Sequence, residues 1–194
     1  MTSASTHRRN ILRTAAKLFR KNGYSSTGLT EILTESKAPK GSLYYYFPGG
    51  KEQLGEEALR YAADSLMGTL EELAKSNQTA PSLLLAFASL LADWMKQSGY
   101  QDGCPMATTI LETVPASAGI TAAAFEAFSS WRGAFGKLLE RDGMSSDEAR
   151  RLSSLAVAAL EGSLIQARIE RSDAPILEAA ALVAWVMEER NRSA

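Results

Sequence analysis

The stretch TGLTEILTESKAPKGSLYYYFPGGK, Thr27 to Lys51, decides the reading of this chain. Leu29, Ile32 and Leu33 fall at helical spacing and give a short helix one apolar stripe. Thr27 is placed to cap it, because a hydroxyl there can accept from the unpaired N–H groups of a first turn. The pattern breaks at Ser36-Lys37-Ala38-Pro39. Proline fixes its own φ and lacks a donor, so Pro39 suits a first helical turn and not an interior. A second short helix is predicted from about Pro39 to Tyr46, stopped by Phe47-Pro48-Gly49-Gly50. Two short helices joined by a turn at this spacing form a helix-turn-helix.

The second helix starts with Lys40, Gly41 and Ser42 and continues into Tyr44, Tyr45 and Tyr46. Three consecutive helical residues spread over about 200° of arc, so these rings cannot share one face. At least one must point outward. A tyrosine hydroxyl beside a lysine and a serine suits phosphate oxygens. For any single tyrosine, local packing is the alternative. Gly49-Gly50-Lys51 lacks the spacing and the following Ser or Thr of a nucleotide phosphate loop, but a lysine at a helix start is a sensible phosphate anchor.

The charge distribution agrees. Up to Arg60 there are ten Lys and Arg against five Asp and Glu; beyond it, eleven against seventeen. A basic end on an acidic body is the asymmetry expected when only one part meets phosphate.

Composition bounds the rest. The chain has 194 residues, 45% of them hydrophobic, enough for a sizeable core. A single cysteine and a single histidine exclude a disulfide framework and leave too few ligands for a protein-only zinc site. The lone histidine, His7, also excludes the usual catalytic triads and metal-hydrolase motifs. No catalytic residue, metal site or cofactor is expected. No apolar run reaches the roughly 18 residues of a membrane span, and the first residues lack a secretory pattern. The expectation is a cytoplasmic protein, not an enzyme and with no membrane partner.

The chain reads as all-helical, with about nine helices and no period-two strand pattern. Thr6 to Asn22 carries Ile11, Leu12, Ala15, Leu18 and Phe19 on one stripe and ends at Gly23. Arg8 and Arg9 stand where they could reach DNA backbone or merely solvate the helix. A long helix from Glu52 to about Ser76 follows, then an almost wholly apolar one from Pro81 to Ser98. Helices are predicted over Met106–Val114, Ile120–Arg141 and from Ser145 or Ser146 to about Arg171, with a last one after Pro175. The final two read as an antiparallel hairpin whose apolar surface exceeds the needs of one chain. A two-fold four-helix bundle between subunits is expected, through Leu152, Leu155, Ala159, Leu164, Ile176, Ala180, Val183 and Met187. An ordinary monomeric core is the alternative.

The run GYSSTGLTEILTESKAPKGSLYYYFPGGKEQL resembles the DNA-binding segment of the tetracycline-repressor (TetR) family of bacterial regulators. The Gly-Ser-Leu-Tyr-x-Tyr-Phe core and the following Lys-Glu-x-Leu carry the likeness. The Pro-Gly-Gly-Lys variant, with the later Gly-Cys-Pro at 103–105, resembles an LmrA-like subgroup. The resemblance implies a helix-turn-helix domain over 1–51 and a helical effector-binding and dimerisation domain over 52–194. It implies phosphate contact at Thr27, base-edge approach by Lys40, Gly41 and Ser42, and backbone contact by Tyr44, Tyr45 and Lys51. It implies a homodimeric regulator, most simply a repressor, released from a near-palindromic double-stranded DNA operator by a small-molecule effector. Lys37 stands where relatives place a turn glycine, and Gly28 where they often have a polar residue.

The body offers Trp94, Met95, Met106, Thr109, Phe128, Trp131 and Phe135 as candidates for a pocket taking an apolar or aromatic effector. At helical spacing such residues are equally expected as core. The subgroup resemblance implies antibiotic-like or flavonoid-like molecules, oriented by polar groups such as Gln97, Thr108, Thr109, Glu112, Gln166 and Arg168. A second reading is an all-helical small-molecule binder or enzyme whose head merely packs. A third is a thiol-sensing regulator using Cys104, although a lone thiol is more often a small buried hydrophobe.

Overall fold

A computed structural model describes residues 3–39 and 41–192. Among the described residues it is all-helical, in the order α1 (Ser3–Asn22), α2 (Leu29–Ser36), α3 (Ser42–Tyr46), α4 (Gly50–Ala74), α5 (Ala80–Gln97), α6 (Pro105–Thr113), α7 (Ala118–Arg141), α8 (Ser146–Glu170) and α9 (Ala174–Arg192). The helix ends follow from local chemistry. Gly23 and Gly143 take positive φ beyond α1 and α7, a conformation that costs glycine least. Thr79 and Ser82 form a reciprocal capping box at the start of α5, with Pro81 in its first turn. Ser145 caps α8 by accepting from the Glu148 N–H, and Asp147 and Glu148 sit in the first turn.

Two expectations about the helix-turn-helix need correction. The first is that Thr27 caps α2; instead Gly28 is the cap residue, with no side-chain cap bond. The Thr27 hydroxyl donates to the Gly23 carbonyl at 2.7 Å, so it closes the preceding turn instead. The second is that the next helix begins at Pro39; α3 begins only at Ser42, where both the N–H and the hydroxyl donate to the Pro39 carbonyl.

By packing, the chain gathers into two compact units: Met1–Ser65 with Cys104–Ala127, and Leu66–Gly103 with Phe128–Ala194. These differ from a division at 51/52, because α6 and the start of α7 pack with the helix-turn-helix. In the first unit, Ile11, Leu12, Ala15, Leu18 and Phe19 of α1 meet Ile32, Leu43, Phe47, Leu54 and Ala58 in one apolar cluster. The short α2 and α3 and the long α4 therefore each commit at least one large side chain to a common core. That shared burial holds helices of eight and five residues that would not persist alone.

In the second unit α9 packs against both α5 and α8. Leu83, Leu84, Phe87, Ala88, Leu91 and Met95 of α5 are buried, as are Leu152, Ala156, Leu160, Ser163, Leu164 and Ala167 of α8. Ile176, Ala180, Val183 and Met187 complete the interior from α9. Of the side chains expected at a subunit interface, Leu152, Leu164, Ile176, Ala180, Val183 and Met187 are thus buried within the single chain, and Ala159 is half-buried. Only Leu155 stays open, 45% exposed. A second apolar stripe lies beside the buried one. On α8 it runs through Leu155, Ala158, Gly162, Ile165 and Ile169; on α9 it includes Leu177, Leu182 and Trp185. The α8 spacing of three, four, three and four is that of a helix face meeting another helix.

Lys37 adopts φ 55° and ψ 28°, so the position does demand the left-handed conformation that the resemblance implied. Its N–H and that of Ala38 close the end of α2 on the Thr34 and Leu33 carbonyls. A lysine held there costs about 1 kcal/mol. Lys37→Gly is therefore expected to stabilise the fold by roughly 0.5 kcal/mol, part of the gain being offset by the freedom glycine adds to the unfolded chain. Urea unfolding of the two proteins checks it.

Candidate nucleic-acid interface

The five-residue α3 presents two sides. Leu43 is buried, and Phe47 just beyond it is buried as well. Tyr46 is half-buried, edge-on to Phe47 with ring centroids 6.4 Å apart. Tyr44 and Tyr45 turn the other way and are 66% and 78% exposed. Two adjacent exposed rings, each with a hydroxyl at its tip, offer a partner both apolar and hydrogen-bonding contact. Tyr45 stacks edge-on against Tyr46 at 5.0 Å, which limits where its ring can go.

Before these rings, Gly41 is exposed with φ −80°, and a Cβ there would meet nothing within 4 Å. The free chain does not need glycine at this position, so any requirement comes from what approaches it. Ser42 is half-buried and spends its hydroxyl proton on Pro39, keeping oxygen lone pairs free to accept. Lys40 lies outside the described residues. Thr27, expected at a phosphate, is fully buried. The resemblance implied that contact; in the free chain the Thr27 hydroxyl is taken up by its bond back to Gly23.

Lys51, in the first turn of α4, donates from Nζ to the Ser25 carbonyl at 3.1 Å and lies 4.8 Å from the Tyr24 ring centroid. Burial lowers the pKa of its ammonium, and the Glu112 carboxylate opposes that shift. Arg8 pairs with Glu57 of α4 and lies 5.5 Å above the Phe47 ring, so it ties α1 to α4 within the unit. Arg9, Arg13, Lys17 and Lys21 of α1 are exposed.

Sequence reasoning missed Glu112. Expected as a polar group in an effector pocket, its carboxylate instead accepts from the Tyr24 N–H at 3.2 Å and the Ser25 N–H at 2.6 Å. The Ser25 hydroxyl, the Ser25 and Tyr24 amides and the Lys51 charge hold its carboxyl below the usual range. Ser117 likewise donates to Glu52 at 2.6 Å, and Arg60 reaches Glu126. These pairs link residues far apart in sequence, which no local pattern announces.

The expected effector residues divide between the two units. Met106 and Thr109 of α6 are buried in the first. In the second, Met95, Trp131 and Phe135 are buried, Phe128 is half-buried with its ring edge-on to Trp131 at 5.1 Å, and Trp94 is 37% exposed. Thr109 Oγ1 and Trp131 Nε1 are buried with no hydrogen-bond partner among the described residues. A groove of about 360 Å³ between α7 and α8 holds none of these side chains; Arg132, Lys137, Glu140, Arg150 and several serines line it. Cys104 is half-buried at the start of α6. Among the described residues no group of His, Cys, Asp and Glu could hold a metal ion, and no helix is long and apolar enough to cross a membrane.

An exposed tyrosine pair on a helix-turn-helix whose other side is buried in a core is the arrangement of a DNA-binding regulator. Residues 11–58 match the family model of bacterial regulatory proteins of the tetR family, and residues 82–182 that of the LmrA/YxaF-like transcriptional regulator C-terminal domain. The chain is 31% identical over 177 residues to the HTH-type transcriptional regulator YxaF of Bacillus subtilis, covering 91% of this chain and 93% of that one. It is 32% identical over 170 residues to LmrA of the same organism, covering 88% and 90%. A TetR transcriptional regulator from Legionella pneumophila has the same fold, with a TM-score of 0.80 over 91% of this chain and 95% of that one at 20% identity. The reduced form of Escherichia coli NemR superposes with a TM-score of 0.76 at 26% identity, covering 91% and 94%. The chain belongs to the TetR family of transcriptional regulators, in its LmrA/YxaF-like branch, and carries that family's DNA-binding domain. Its relatives are regulators and not enzymes.

Proposed function

We propose that the chain is a cytoplasmic, homodimeric repressor that leaves a near-palindromic operator when a small apolar or aromatic effector binds. The exposed pair Tyr44 and Tyr45 is the observation that carries this reading. In it, the two rings, Lys40, Gly41, Ser42 and Lys51 contact the duplex. The α3 segments of two chains enter successive major grooves about one helical turn apart.

The α8–α9 stripe of Leu155, Ile165, Ile169, Leu182 and Trp185 supports the dimer. Two copies of an antiparallel helix pair bury such faces as a four-helix bundle. The interface of this proposal is therefore the exposed stripe, displaced around the helices from most of the residues expected at first.

For the effector, the buried orphan Trp131 Nε1 is the most specific support. A buried indole N–H ordinarily finds an acceptor, so the reading assigns it one on the ligand. The Phe128 ring, edge-on to Trp131 at 5.1 Å, suits an apolar or aromatic body. Release requires the effector to bind the DNA-incompetent state more tightly than the other.

Lys51→Ala tests the phosphate role. In a dimer it removes two cations, so binding is expected to weaken about tenfold at moderate salt and the log–log salt slope to fall by about two. A gel shift matching wild type at several salt concentrations would refute that role.

A further inference from the structure

Tyr24 and Ser25 form the turn between α1 and α2, just after the Gly23 that ends α1. Their N–H groups have no helical partner and are bonded instead by the two oxygens of Glu112. The carboxylate arrives from α6, a helix that packs on α1. Gly23, whose φ of 86° suits glycine, leaves the carboxylate room beside the turn: a Cβ there would lie 2.5 Å from Glu112 Oε1. The other side of the same turn supports Lys51, through the Ser25 carbonyl and the Tyr24 ring.

We infer that Glu112 is a positioning residue for DNA binding: by clamping the Tyr24–Ser25 turn, it fixes the support from which Lys51 meets phosphate. This rests on the reading above that the helix-turn-helix face and Lys51 contact the duplex. A rival arrangement uses the same atoms. Two N–H groups beside an ammonium also make an anion site, and a carboxylate there could stand in for a DNA phosphate. The two arrangements have opposite consequences, since removing a stand-in would tighten binding. In both arrangements the carboxylate holds the two turn amides in the free protein, so the sign of the change in DNA binding on removing it decides between them.

The test uses the full chain as wild type, Glu112→Gln, Glu112→Ala, Lys51→Ala and the Lys51→Ala/Glu112→Gln double variant. The probe is a duplex enriched from a random pool by the wild-type protein. Glu112→Ala is expected to weaken binding roughly tenfold. Glu112→Gln keeps one good acceptor and the side-chain shape, and should fall between wild type and alanine. Amide exchange at Tyr24 and Ser25 should quicken in the same order. Because Glu112 acts through Lys51, the double variant should bind no more weakly than Lys51→Ala alone. Equal or tighter binding by Glu112→Ala overturns the inference, as do fully additive losses in the cycle with glutamine. Failure of the wild type to enrich any duplex removes the DNA-contact reading itself and the inference with it. Unchanged exchange at Tyr24 and Ser25 removes the inference alone.

Discussion

Replacing Tyr44 and Tyr45 together by alanine is expected to weaken operator binding by about two to three orders of magnitude and to shift the melting temperature by less than about 2 °C. Both rings are largely exposed, whereas Leu43 and Phe47 on the other side are buried. The fold therefore loses little when the two rings go. A hydrogen bond from a hydroxyl to a charged phosphate contributes about 1.5–3 kcal/mol, and a two-fold complex makes each contact twice. Ring packing against sugar and base edges adds to this. Phenylalanine at both positions should restore part of the affinity, which separates the rings from their hydroxyls. The salt slope should stay near that of wild type, because a neutral hydroxyl releases no counterion. That separates the tyrosines from Lys51, whose loss is expected to flatten the slope. A melting temperature that collapses in the alanine pair would place the rings in the core instead.

The second large effect is expected from Ile165→Glu. Ile165 is 56% exposed, and glutamate is a good helix former, so the single chain should fold normally. In the proposed dimer the new carboxylate is buried without a partner, once for each chain. An uncompensated buried charge costs several kcal/mol, so the dimer should dissociate at micromolar concentration. Sedimentation equilibrium would show monomers. Duplex affinity should fall by about 100-fold or more, because the second head is no longer tethered to the first. Trp185→Asp on α9 is expected to act the same way. Retained dimers in both variants would move the interface off this face.

Much of the fold was legible locally. The stripe Ile11, Leu12, Ala15, Leu18 and Phe19 is the core face of α1, and proline and glycine mark the helix ends. That at least one of the three tyrosines must face outward follows from helix geometry; that Tyr44 and Tyr45 are the ones depends on Leu43 and Phe47 turning into the core. What escaped depends on distant partners. Thr27 looked like a cap because only the closed turn brings the Gly23 carbonyl to its hydroxyl. Glu112 looked like a pocket residue because the turn that it clamps lies 88 residues away from it. The α8 and α9 faces were confused for another reason. Both helices carry two apolar stripes, and most of the residues first assigned to an interface fall on the one buried in the chain's own interior.

The most direct measurement is selection of bound duplexes from a random pool by the wild-type protein, followed by hydroxyl-radical footprinting of the enriched sequence. Two exposed heads on a two-fold dimer predict a near-palindrome, protected in two patches about one helical turn apart on one face of the duplex. No enrichment, or a single asymmetric site occupied by one chain, would contradict the account.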